Sequence, residues 1–116
     1  MKQITGAVML ALALLPLGAE AHAHLLQSTP ADGSELTQAP ASFTLQFNEP
    51  ARLTALSIKK DAEPPHRLDS PASAPSAQWV VAAPALAPGS YTLSYRVLSD
   101  DSHIVSGSIQ FRVREP

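Results

Sequence analysis

The 116-residue chain is 45% hydrophobic, carries ten acidic against eight basic side chains for a net charge of −2, and contains no cysteine. Without cysteine there is no disulfide and no thiolate metal ligand, and without a basic stripe neither nucleic acid nor an anionic membrane surface is an expected partner. The length suits one small domain, whose stability must come from packing a single core or from binding something.

Lys2, the apolar run from Ile4 to Leu17 and the small residues of Leu17-Gly18-Ala19-Glu20-Ala21 follow the pattern of a secretory signal peptide. The run is short for a membrane span, and no second apolar run follows it. Residues 1–21 are therefore expected to be removed on export to the periplasm, leaving residues 22–116 as one domain. Ala19-x-Ala21 and Ala21-x-Ala23 both satisfy the cleavage pattern, so the mature chain could begin at His22 or at His24. Met1 and Met9, the only methionines, leave with the signal peptide.

The mature chain reads as β throughout. A weak strand is predicted from His24 to Ser28, followed by Thr29-Pro30-Ala31-Asp32-Gly33, where proline fixes φ and Asp-Gly supplies a positive φ for a tight turn. Phe43, Leu45 and Phe47 then alternate with polar neighbours, the pattern of a half-buried strand, and a weaker strand is predicted from Leu53 to Lys60. Asp61 to Ala77 is rich in Pro, Ala and Ser and reads as a surface loop with at most one poor strand near His66 to Leu68. Another weak strand spans Gln78 to Ala83.

Leu86-Ala87-Pro88-Gly89-Ser90-Tyr91 resembles the tyrosine corner of immunoglobulin-like sandwiches, with Tyr91 as the first inward residue of its strand. Tyr91, Leu93, Tyr95 and Val97 share one parity, as do Val105, Ile109, Phe111 and Val113. These are two further half-buried antiparallel strands. The predicted fold is all-β: a small Greek-key, Ig-like β-sandwich or barrel of about seven strands.

The chemistry is concentrated in the four histidines, His22, His24, His66 and His103. His103 sits in Ser99-Asp100-Asp101-Ser102-His103, a polar loop between the two clearest strands, and Asp101 two residues earlier points the same way in an extended stretch. A carboxylate and an imidazole converging on one point suit a metal, although an Asp-x-His loop taken alone is more often a polar turn. An N-terminal His22 would offer its free α-amine and its ring nitrogen to one ion. With His103 and Asp101 that makes three nitrogens and an oxygen, a set that favours Cu(II). His66, beside Pro64-Pro65, reads as solvated loop, and Trp79 as core. His24 stays open, since the amine, two deprotonated amides and the His24 ring could also wrap an ion locally.

His22-Ala23-His24-Leu25, Ser28-Thr29-Pro30-Ala31-Asp32-Gly33, Leu45-Gln46-Phe47-Asn48-Glu49, Pro88-Gly89-Ser90-Tyr91, Ser99 to His103 and Ser106-Gly107-Ser108 occur in that order. This series resembles the CopC-type periplasmic copper-resistance proteins over essentially the whole mature chain. The resemblance implies a cupredoxin-like Greek-key fold holding one Cu(II) per chain at His22, Asp101 and His103. It places Glu49 at an acidic position beside the site that orients ligands instead of binding. It also implies an inner-membrane transporter of the CopD type as partner, favours His22 as the first mature residue, and a monomer is expected. A departure accompanies it: some members hold Cu(I) in a Met-rich loop, and this mature chain has no methionine. No tight Cu(I) site is expected, and without cysteine no blue-copper centre.

Two other classes compete. An N-terminal histidine chelate is also the copper site of oxidative polysaccharide monooxygenases, but Asp101 would take an in-plane position and the small domain offers little substrate surface, so an enzyme is not expected. A metal-free Ig-like interaction domain would leave the placement of His22, Asp101 and His103 without a reason.

Overall fold

The computed structural model describes residues 23–69 and 74–115, so the signal-peptide segment and His22 lie outside the described residues. Seven strands follow one another: β1 (Leu25–Thr29), β2 (Ser34–Leu36), β3 (Ser42–Lys60), β4 (His66–Arg67), β5 (Ser76–Ala82), β6 (Gly89–Ser99) and β7 (Ile104–Val113). There is no helix among the described residues, and the all-β sandwich expected from the alternation is what forms.

The main difference from the predicted elements lies in β3. Two separate strands were expected, Ser42 to Asn48 and Leu53 to Lys60, with Glu49-Pro50 falling between them. They are one strand that changes partners midway. Before the interruption β3 lies between β1 and β5, and after it between β6 and β4. All seven strands belong to one continuous sheet, and β3 turns a corner within it. Pro50 falls where the β3–β5 ladder breaks between Gln46 and Ala51, so its missing N–H removes no ladder hydrogen bond there.

A second irregularity explains why the latter half of β3 alternated poorly. The β3–β6 register passes from Leu53↔Val97 to Ala55↔Arg96, leaving Thr54 as the extra residue of a bulge. Its Oγ1 donates to the Arg96 carbonyl at 3.0 Å. The inward side chains are accordingly Ala51 and Leu53 before the bulge, then Leu56 and Ile58 after it.

β2 was not predicted, and its parallel pairing with β7 explains both its brevity and its absence from the alternation pattern. The Ala31–Ser34 turn delivers it: Ser34 N–H donates to the Ala31 carbonyl at 3.0 Å and Gly33 takes φ +82°. Asp32 Oδ1 accepts the Gln110 N–H at 2.8 Å and ties the turn to β7. Phe43, Leu45, Phe47, Leu93, Val97 and Ile109 are among the fully buried side chains at the centre of the core. Tyr91 stacks on Phe111 at 5.4 Å, and its hydroxyl donates to the Ala87 carbonyl, so the tyrosine corner forms. Tyr95 lies across Gly107 on the adjacent strand, where a Cβ would collide with its ring.

Candidate metal centre

The site begins at the corner of β3. β5 runs along one edge of β3 and pairs with it on both sides of the corner, at 42–46 and again at Ala51. Opposite β5 lie β1 before the corner and β6 after it. The start of β1 and the end of β6 therefore meet the same edge of β3. His24 sits opposite Asn48, and Ser99 opposite Ala51, about 10 Å of strand apart. The Ala51 carbonyl is braced from the core side by Trp79, whose Nε1–H donates to it at 3.0 Å.

From Ser99 the chain turns back into β7. Ser99 N–H donates to the His103 carbonyl and Ser102 N–H to the Ser99 carbonyl, both at 2.9 Å, with Ser102 in the left-handed region at φ +68°. The Ser99 hydroxyl is buried and donates to Asp101 Oδ1 at 2.6 Å. The same oxygen accepts the His103 N–H at 3.3 Å, and Oδ2 lies 2.9 Å from His103 Nδ1. These contacts hold the Asp101 carboxyl well below the usual carboxylate range, the Ser99 hydrogen bond first and those from His103 adding to it, against an opposing effect of desolvation. A fixed negative charge therefore faces an imidazole. With Nδ1–H directed at the carboxylate, the His103 lone pair resides on Nε2, the arrangement by which a carboxylate fixes a metal-binding tautomer.

Glu49 lies on β3 between Asn48 and Ala51. Its Oε2 is buried and has no hydrogen-bond partner among the described residues. A buried carboxyl oxygen is costly unless a donor or a cation meets it. Ala23 is 1% exposed and packs into the core, anchoring the arm one residue after His22. The His24 N–H donates to Asn48 Oδ1 at 2.6 Å, and the His24 carbonyl accepts the Asn48 N–H at 3.0 Å.

Of the residues singled out from sequence, Asp101 and His103 are in contact, Glu49 lies on the adjoining stretch of β3, and His24 immediately precedes β1. His66 is elsewhere, paired with Ile58 near the far end of β3, about 23 Å of strand from Ala51. Among the described residues no three His, Cys, Asp or Glu side chains form a metal cluster, so the hairpin supplies two donors. Ser99, Asn48 and Trp79 were not recognised as parts of the site. Ser99 and Asn48 stand within the quoted motifs, but their partners are set by pairing across strands.

An all-β sandwich with a carboxylate–imidazole hairpin beside its first strand is the class of protein this geometry defines. Residues 25–114 match the CopC domain, and the chain belongs to that family. Copper resistance protein C of Xanthomonas campestris pv. juglandis is 36% identical over 121 residues, spanning 95% of this chain and 94% of its own. The crystal structure of CopC from Methylosinus trichosporium OB3b has a TM-score of 0.70 at 28% identity, covering 81% of this chain and 95% of that one. Copper transport protein CutJ of Bacillus subtilis is 31% identical over 111 residues, 91% of this chain but 20% of its own length.

Proposed function

We propose that the chain is exported, loses residues 1–21, and as residues 22–116 captures one Cu(II) in the periplasm for sequestration or delivery. The observation that supports this is the convergence of the N-terminal arm and the Ser99–His103 hairpin on one stretch of β3. In this reading His22 contributes its amine and ring nitrogen, His103 its Nε2, and Asp101 its negative charge and an oxygen. These donors fit the tetragonal, nitrogen-rich set that Cu(II) prefers. In this reading Glu49 stands beside the ligands, where its buried Oε2 would accept from the N-terminal amine or an ion-bound water.

The matching segment within CutJ, a longer copper transport protein, supports delivery to a membrane transporter of the CopD type. The absence of methionine and cysteine from residues 22–116 supports Cu(II) over Cu(I) as the cargo. The reading is tested by Cu(II) titration of the mature protein against a form carrying one extra residue before His22. The mature chain is expected to bind one equivalent tightly and the extended chain to lose most of that affinity. Equal affinity would remove the free amine from the mechanism.

A further inference from the structure

An amine followed two residues later by histidine can wrap a metal ion in a plane of four nitrogens: the amine, two deprotonated peptide nitrogens and the imidazole. Cu(II) and Ni(II) both suit such a square-planar plane. His22-Ala23-His24 has this spacing, so the folded protein must decide between local wrapping and capture by the hairpin.

The second peptide nitrogen the wrap requires is that of His24, and its proton is held by Asn48 Oδ1 at 2.6 Å. On the other side of the same residue, the His24 carbonyl accepts the Asn48 N–H at 3.0 Å. Continuing the Leu25↔Phe47 register places His24 opposite Asn48, at the point where β3 begins to turn its corner. There the Asn48 side chain accepts the amide proton. The residue supplying the first peptide nitrogen, Ala23, is buried in the core. Closing the wrap would require His24 N–H to lose its proton, leave Asn48, and draw Ala23 out of its packing.

We propose that Asn48 is a positioning residue that holds the arm extended, so that His22 alone meets the ion and the hairpin must complete its coordination. Asn48 thereby sets metal selectivity, because an ion that depends on the four-nitrogen plane is refused by the folded chain. This rests on the reading that the mature chain begins at His22 and binds through its amine.

The test uses the mature protein with Cu(II) and with Ni(II) at neutral pH. Ionised peptide nitrogens impose a strong ligand field, so wrapping moves the Cu(II) visible band to shorter wavelength and gives a yellow, diamagnetic Ni(II) complex. Folded wild-type protein is expected to form no yellow Ni(II) complex, whereas the same chain unfolded in urea forms it. Asn48→Ala is expected to raise Ni(II) retention by about two- to tenfold, the worth of one hydrogen bond, and to move the Cu(II) band. Asn48→Asp keeps an acceptor oxygen and should behave as wild type. The metal-free His24 amide should exchange slowly in wild type and Asn48→Asp, and fast in Asn48→Ala. A yellow Ni(II) complex in folded wild type, as readily formed as in urea, overturns the proposal without any variant. So do wild-type spectra with both metals in Asn48→Ala. If the chain extended before His22 binds Cu(II) tightly, the underlying reading falls and the proposal with it; if the amine is required but Asn48→Ala is unchanged, the proposal falls alone.

Discussion

β6 is held at its two ends by opposite kinds of chemistry. At its start, Tyr91 stacks on Phe111, Phe111 meets Phe43 at 5.9 Å, and the Tyr91 hydroxyl closes a local loop on Ala87. At its end, the buried Ser99 hydroxyl fixes Asp101, and Asp101 fixes a His103 whose side chain is 62% exposed. The first end ties up its polar group and buries the rest, so its contribution is to stability. The second spends hydrogen bonds on holding a carboxylate and an imidazole at the surface, which contributes little to the core but orders the pair proposed as ligands. In the proposed reading the two ends of one strand separate folding from function, and substitutions should separate them too.

The largest effect is expected at the aromatic end. Phe111→Ala should lower the unfolding free energy by about 3–5 kcal/mol in urea denaturation. The Cu(II) spectrum of the protein that remains folded should be unchanged. A spectral change would mean that the two ends of β6 are coupled through the strand.

At the hairpin the order reverses. His103→Ala should weaken Cu(II) binding by at least about 100-fold while changing stability by no more than about 0.5 kcal/mol. Asp101→Asn should be intermediate, and Ser99→Ala should cost about tenfold through loss of the hydrogen bond that positions Asp101. His66→Ala, remote on β4, should change neither quantity. Competition titration against a chromophoric chelator ranks the series, and equal affinities for the His66 and His103 variants would place the ligands elsewhere.

The smallest effect is in pH dependence, where the ends should fail on opposite sides. Burial, aided by the negative charges of Asp61 and Glu63, raises the Tyr91 pKa, and burial raises that of Tyr95. A raised phenol contributes stability in full below its unfolded value of about 10, and the contribution is lost as pH rises through the folded value. The depressed Asp101 carboxyl behaves inversely: its contribution is present above about pH 3.9 and is lost as pH falls. Phenolate absorbance in an alkaline titration should therefore lag behind that of free tyrosine until the fold is lost. Normal ionisation of both tyrosines in the folded state would contradict their burial.

Much of this was legible residue by residue. The alternation around Phe43, Tyr91 and Ile109 marked the inward faces because a strand's side-chain period is set by its own backbone. The tyrosine corner was readable because donor and acceptor, Tyr91 and Ala87, are neighbours in the chain. The Asp101–His103 pair was readable for the same reason, lying within one hairpin.

What escaped depends on partners distant in sequence. The joining of two predicted strands into β3 is decided by β5 pairing on both sides of the corner, and β2 exists because β7 lies beside it. Asn48 and Ser99 look like ordinary polar residues until His24 and the Ser99–His103 turn are brought against the same edge of β3. The sequence by itself determined an all-β chain and the pairing of Asp101 with His103, since each follows from composition or short-range geometry. Only the tertiary structure decided that the first strand and the last hairpin share one edge, because that juxtaposition comes from cross-strand hydrogen bonds and core packing between segments some seventy-five residues apart.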